Sequence, residues 1–121
     1  MFKKLSIIAV IYLLWSLVFC YGIVHGADIT LSWDAPTTNV DGTPLTDLAG
    51  YKIYHGIVSG VYDSPTDVHN VTTITLQNFC EGTHYFVATA YDTSGNESGY
   101  SNEVNKVIKI APTNPSSLRI P

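Results

Sequence analysis

The sequence predicts an all-β protein built as an antiparallel β-sandwich, preceded by an N-terminal hydrophobic leader helix. Beyond the leader, apolar side chains recur with a period of two residues, which is the period of a β-strand with one buried face. Pairs of turn-forming residues separate these runs at intervals typical of a sandwich. No segment beyond residue 26 has the 3.6-residue period of a helix, so two packed sheets are the expected architecture.

Residues 1–26 have the three-part layout of a secretory signal peptide. Lys3 and Lys4 form a positive start, residues 5–24 carry no formal charge and are mostly apolar, and Gly26 precedes the expected cut. An uncleaved membrane anchor formed by residues 5–24 is the alternative, because an uncharged stretch of about 20 residues can span a bilayer. In either case we expect the rest of the chain to be secreted or extracytoplasmic, in the periplasm, at the cell surface or outside the cell.

Residues 27–110 are predicted to form one domain, and residues 111–121 a Pro-rich tail or linker stub. Loss of Lys3 and Lys4 with the leader leaves four basic residues against ten acidic ones, a net charge near −6. Between residues 27 and 105, Lys52 is the only fixed cation. This acidity argues against a nucleic acid or an anionic membrane surface as partner, so membrane contact is expected only through an uncleaved leader.

The sequence has two cysteines, one on each side of the expected cut. Cys20 falls in the leader, where the bulky Phe19 disfavours lipid attachment, and Cys80 directly precedes the Glu81-Gly82 turn. Cleavage would leave Cys80 as a lone thiol, so we expect no internal disulfide in the mature chain. A lone cysteine beside a turn is more typical of a small half-buried residue than of a nucleophile.

The first two expected strands are separated by a long loop. Ile29, Leu31 and Trp33 alternate with polar residues and define the buried face of the first strand. Residues 37–50 are rich in Thr, Asn, Asp, Gly and Pro and predict a connecting loop. Tyr51, Ile53 and His55 then share one face of the second strand, and a weaker strand is expected near residues 61–62.

The second half of the chain predicts three further strands. In the β-branched run at residues 71–76, Ile74 and Leu76 share a face. Residues 84–91 are partly apolar on both faces, which is typical of a strand in the middle of a sheet. Residues 92–99 form a polar hairpin loop. The last strand is marked by Val104, Val107 and Ile110.

Three stretches of the chain resemble strands of fibronectin type III domains, most closely the short bacterial versions that directly follow a signal peptide. They read DITLSWDAP, LAGYKIYHG and ITLQNFCEGTHYFVATAYDTSGNES, and the resemblance covers residues 28–108. It implies an immunoglobulin-like sandwich and a tyrosine corner, in which a phenol near the start of the sixth strand bonds to nearby backbone. The landmarks expected for the core and the corner are Trp33, Tyr51, Ile53, Leu76, His84, Tyr85, Phe86 and Ala90.

The chain departs from the family pattern in two places. Counting from different ends of the motif, the corner position falls on either His84 or Tyr85. The expected mature chain also begins at what resembles the second strand, which leaves the edge of that strand open. The tail is similar to the opening of another domain of the family, so it is either a disordered stub or a segment whose Leu118 and Ile120 cover the open edge by folding back or by pairing with a second molecule.

Several local patterns resemble ligand sites but have simpler explanations. Residues 92–103 carry oxygen ligands at positions of a calcium loop, but Glu97 stands where that loop needs glycine, and no helices flank it. The histidines are too scattered for a local zinc motif, so no metal or cofactor is expected. Five tyrosines could place exposed rings on one face, as carbohydrate-binding sandwiches do, although cross-strand packing also explains them. They are Tyr54, Tyr62, Tyr85, Tyr91 and Tyr100.

We therefore expect a non-catalytic secreted or cell-surface module that binds an unidentified protein or polysaccharide, or serves as a spacer. An accessory carbohydrate-binding module of a secreted hydrolase system is the alternative. A small extracytoplasmic enzyme is a remote alternative, because the carboxylates lie at strand ends and turns, and no two of them are paired in a cleft by the sequence. No catalytic, cofactor-binding or metal-ligating residue is predicted, and the oligomeric state is open.

Overall fold

A computed structural model describes residues 26–121, and these residues contain six β-strands and no helix. The expected leader helix lies outside the described residues, which begin at Gly26, the residue before the expected cut. Within residues 26–121 there is no helix that could cross a membrane. The strands are β1 (Ala27–Ser32), β2 (Leu48–Gly56), β3 (Thr66–His69), β4 (Thr73–Phe79), β5 (Gly82–Asp92) and β6 (Val104–Ile108).

The strands form two antiparallel sheets, which confirms the prediction of an all-β, sandwich-like fold. The smaller sheet has the order β1-β4, and the larger has the order β3-β2-β5-β6. Strand β5 is the longest and lies between β2 and β6, in the middle of the sheet as its two partly apolar faces predict. Val87 and Thr89 on its outer face are buried together with His84 and Phe86 on its inner face.

The core lies between the two sheets. Ile29 from β1 meets Tyr51 and Ile53 from β2, Val68 from β3 and Phe86 from β5. Burying each large apolar side chain contributes about 1.5–3 kcal/mol, and Phe86 is the largest side chain that is fully enclosed. Nine partly buried apolar residues surround this cluster: Leu31, Trp33, Leu48, Ile74, Leu76, Phe79, Ala88, Ala90 and Ile108.

The structure corrects the expected third strand. Residues 61–62 form no strand, and Val61 makes only an isolated bridge with Val58. The third strand is β3, at residues 66–69, where Val68 is the single buried side chain. Because β3 is an edge strand with one inward apolar residue, its sequence lacks the repeated alternation by which a strand is recognised.

Three strand boundaries also differ from expectation. Strand β2 starts at Leu48, inside the stretch 37–50 that was expected to be a loop, because Leu48 and Gly50 already pair with β5. Strand β4 starts at Thr73 and not at Val71, which is exposed. Strand β6 ends at Ile108, so Ile110 lies beyond it and is 53% exposed. The three-residue spacing of Val104, Val107 and Ile110 was misleading, because in a strand Val104 and Val107 point to opposite faces.

Candidate binding surfaces

Among the described strands, β1 and β6 lie on the two sides of a cleft at one edge of the sandwich. Each of these strands has one neighbour: β4 for β1, and β5 for β6. In the antiparallel register of β5 and β6, Phe86 lies opposite Val104, so both side chains point to the same inner face. Phe86 is 1% exposed, whereas Val104 is 43% exposed. The inner face of β6 therefore has little covering it within residues 26–121.

A cleft of about 440 Å³ lies at this edge. Ile53 and Phe86 form part of its apolar lining, together with Leu31 and Val104. This volume falls within the range of about 300–1,000 Å³ that is usual for small-ligand sites. The polar residues along the cleft are Ser32, Asp34, Ser101 and Asn102. The combination of an apolar lining with a few polar groups suits a ligand that has both apolar side chains and hydrogen-bonding backbone.

Trp33 also lines the cleft and directly follows β1. Its indole packs edge-on against Tyr51, with ring centroids 5.3 Å apart. The indole Nε1 is buried and has no hydrogen-bond partner in the described part of the molecule. A buried N–H without an acceptor typically lowers the free energy of unfolding by about 1–3 kcal/mol. Trp33 therefore contributes packing, but its indole N–H makes no hydrogen bond.

The outer face of the larger sheet carries a second candidate surface, a cluster of three tyrosines. Tyr100 is 58% exposed and lies between Tyr54 and Tyr62, with ring centroids 5.0 Å and 5.3 Å away. Both contacts are edge-to-face, with interplanar angles of 69° and 76°. The rings therefore do not form the co-planar platform on which a sugar chain would stack.

Glu97 is hydrogen-bonded to Tyr54, at one side of this tyrosine cluster. Its Oε1 accepts hydrogen bonds from the Tyr54 hydroxyl and the buried Thr89 hydroxyl, both at 2.6 Å. Lys52 Nζ lies 3.2 Å from Oε2. Two hydrogen bonds lower the pKa of Glu97, chiefly the one from Thr89 and then the one from Tyr54. The hydrogen bond between Tyr54 and Glu97 also raises the pKa of Tyr54. Glu97 thus joins the loop after β5 to the outer face of the sheet.

Glu103 has the same role on the other side of the cluster. It accepts hydrogen bonds from the Ser59 hydroxyl at 2.6 Å, from the Gly60 N–H at 2.9 Å and from the Tyr62 hydroxyl. These bonds, with Ser59 first, lower the pKa of Glu103. Neither carboxylate is directed to a common metal site with Asp92, whose oxygens instead accept bonds from the N–H groups of Ser94 and Asn96.

The loop after β5 also bonds to the edge of that strand, next to the start of β6 at Val104. Ser98 N donates to the Ala90 carbonyl, and Ala90 N donates to Ser98 Oγ. Ser101 and Ala88 exchange the equivalent pair of bonds. The loop is consequently hydrogen-bonded to the sheet. Residues 92–99 are better described as a polar hairpin loop than as a calcium loop. Within residues 26–121, no group of three or more His, Cys, Asp or Glu residues could hold a metal ion.

His84 lies near the start of β5, and its side chain makes a hydrogen bond to the backbone. Its Nε2 donates to the Cys80 carbonyl oxygen at 2.8 Å, which leaves Nδ1 to accept from His55 Nε2 at 2.8 Å when both rings are neutral. Phe79 and Phe86 pack against this histidine pair. Burial, followed by the neighbouring His84, lowers the pKa of His55, and Asp63 opposes the shift.

Cys80, whose carbonyl accepts this bond, is disulfide-bonded. Cys20, the other cysteine of the sequence, lies outside the described residues. The expected lone thiol applies to a chain that has lost its leader, so the disulfide of the full chain leaves that prediction untested.

The residues expected as core and corner landmarks differ in how deeply they are buried. Tyr51, Ile53, Phe86 and His84 are buried, with exposures of 2%, 3%, 1% and 6%. Trp33, Leu76 and Ala90 are partly buried and pack against the core cluster. Tyr85 is half-buried on the outer face, because it alternates with His84 along β5.

Sequence reasoning named Trp33, Ile53 and Phe86 as core residues but did not predict the cleft that they line, nor the contacts of the carboxylates that join the loops. Val104 was assigned to the last strand, but its exposure depends on which strands lie opposite. Glu97 and Glu103 are 43 and 41 residues away from the tyrosines they contact, so no local pattern reveals these pairs. No protein-family model, curated protein sequence or solved structure matches the chain.

Proposed function

We propose that this chain is a non-catalytic fibronectin type III module, exported from the cytoplasm, that binds an extended peptide segment of a protein partner at its open edge. The carrying observation is the cleft between β1 and β6, where Val104 points inward and is nevertheless 43% exposed. An added strand could use the edge of β1 that no described strand pairs with for backbone hydrogen bonds, and the cleft for alternate side chains.

The order of the strands supports the family assignment. Two antiparallel sheets packed around one core are what the resemblance to this family implies. The hydrogen bond from the His84 imidazole to the backbone four residues upstream supports His84 as the residue at the expected corner.

The state of the carboxylates supports a non-catalytic role. Every described carboxyl group with a displaced pKa has it lowered by hydrogen bonds, whereas a general acid needs a raised pKa. Glu97 and Glu103 already serve as acceptors for hydroxyl groups of the protein. The five lowered groups are Asp41, Asp67, Asp92, Glu97 and Glu103.

The test is a binding screen with short synthetic peptides that carry apolar residues at alternate positions. Val104→Lys places a charge in the cleft, whereas Val107→Lys places the same charge on the opposite face of the same strand, at a residue that is 50% exposed. We expect peptide affinity to fall at least tenfold in Val104→Lys and to be retained in Val107→Lys. Equal affinity in both variants, or no binding peptide for the wild type, would refute the proposal.

Carbohydrate binding at Tyr100 is the second candidate, because this ring is exposed and flanked by two further tyrosines. The edge-to-face angles weigh against it. A glycan array probed with the wild type and with Tyr100→Ala separates the two candidates. Glycan binding that is lost in Tyr100→Ala and retained in Val104→Lys would favour the carbohydrate alternative.

A further inference from the structure

The C-terminal tail has the features of a strand that lacks a sheet. Leu118 and Ile120 are 98% and 97% exposed, and residues 109–121 contain no strand. Because they are two residues apart, both side chains fall on one face when this segment is extended, which requires Ser117 to leave its present φ of 58°. Ser117 and Arg119 then fall on the opposite face, as the solvent side of an edge strand requires.

The cleft offers what this segment needs. Leu31 and Val104 on its walls, with Ile53 and Phe86 deeper inside, would cover two aliphatic side chains. The charges are also complementary. Residues 27–105 carry all ten acidic residues and one fixed cation, whereas Lys106, Lys109 and Arg119 make the rest of the described chain basic. Opposite net charges favour the encounter of the tail with the body of another molecule.

The topology favours the tail of a second copy over the molecule's own tail. Strand β6 ends at Ile108, opposite Gly82, and β1 starts at Ala27, opposite Phe79, so both points lie at the same end of the sandwich. The molecule's own tail would have to reverse its direction and then run parallel to β1. The tail of another copy can approach antiparallel to β1, which is the more stable pairing.

We propose that residues 115–121 of one copy add as a strand along β1 of a second copy, with Leu118 and Ile120 in the cleft. This inference rests on the proposed function, since it names the peptide that the cleft receives. The donor and acceptor surfaces are different, so the contact is head-to-tail and leaves a free tail and a free cleft at the two ends of each assembly.

The experiment follows the mass of the full chain over a concentration series by sedimentation velocity. Ile120→Lys disables the donor, Val104→Lys disables the acceptor, and Asn114→Lys and Val107→Lys are the charge-matched controls. We expect the wild type and both controls to associate as concentration rises and each disabled variant to remain monomeric. A mixture of the two disabled variants retains one intact tail and one intact cleft, so it should form a 1:1 dimer and no larger species.

Several outcomes would overturn the inference. They are a wild type that stays monomeric, an Ile120→Lys variant that associates as the wild type does, and a monomer in which amides 118–120 are protected from hydrogen exchange. The last would show that the tail covers its own edge. If the wild type is monomeric but Val104→Lys still loses the synthetic peptides, this inference fails while the proposed function stands. If no peptide binds either, both fail.

Discussion

Phe86 and Val104 lie opposite each other on neighbouring strands and point to the same face, yet their environments are opposite. Phe86 lies where β1 and β4 cover the larger sheet, and its side chain is enclosed in the core. Val104 lies one strand further toward the edge, and 43% of it is exposed. Burial in this sandwich is therefore set by how far the smaller sheet extends and not by the direction of the side chain alone.

The largest effect is expected at the enclosed position. Phe86→Ala should lower the free energy of unfolding by about 3–5 kcal/mol, because it removes an aromatic ring from a packed core and leaves a cavity. Urea denaturation measures the change. If the variant does not fold, Ile53→Val should still cost about 0.5–1.5 kcal/mol at a residue that is 3% exposed. A loss below 1 kcal/mol for Phe86→Ala would contradict the description of the core.

The sequence predicted the enclosed region better than the open one. Strands β1 and β2 were recognisable by the two-residue period of their inward residues, and β5 was recognisable by its two partly apolar faces. Strand β3 was missed because Val68 is its single buried side chain. The openness of Val104 was not predictable, since a side chain's exposure depends on the strands packed opposite it, which local alternation does not encode.

The next largest effect is expected where the loop after β5 is joined to the outer face. Glu97→Ala removes the acceptor of the buried Thr89 hydroxyl and of Tyr54, which should lower the free energy of unfolding by about 1–2 kcal/mol. Glu97→Gln keeps an acceptor and should cost less. Glu81→Ala, at an exposed carboxylate, is the control for loss of charge alone. Equal stability of Glu97→Ala and Glu81→Ala would show that the contacts of Glu97 contribute nothing.

A smaller effect is expected from pH, through the hydrogen-bonded pair His55 and His84. The folded state lowers the pKa of His55 below its ordinary value of 6.5, chiefly by burial. Below about pH 6.5 the unfolded chain therefore binds more protons at this residue than the folded chain, and the free energy of unfolding falls as the pH is lowered through the folded-state pKa. Denaturant titrations at a series of pH values measure this slope.

His55→Gln separates this contribution from that of the carboxylates. Glutamine can still donate to His84 Nδ1 but does not titrate, so the slope just below pH 6.5 should become shallower. The carboxylates with lowered pKa values change the free energy of unfolding only at lower pH, below their ordinary pKa values of 3.8 for Asp and 4.5 for Glu. An unchanged slope in His55→Gln between these windows would show that His55 is not the responsible group.

The smallest effect is expected at the open position, and its size should depend on concentration. In dilute solution Val104→Ala should lower the free energy of unfolding by less than about 1 kcal/mol, because the side chain is already 43% exposed and its removal creates little new cavity. If the tail of a second copy fills the cleft, Val104 becomes buried, and a ligand that binds only the folded state stabilises it by mass action. The difference between wild type and Val104→Ala should then grow as protein concentration rises, while Val107→Ala on the outer face shows no such growth. A constant difference over the whole concentration range would mean that the cleft stays open, and the contrast between Phe86 and Val104 would then be a permanent feature of the molecule.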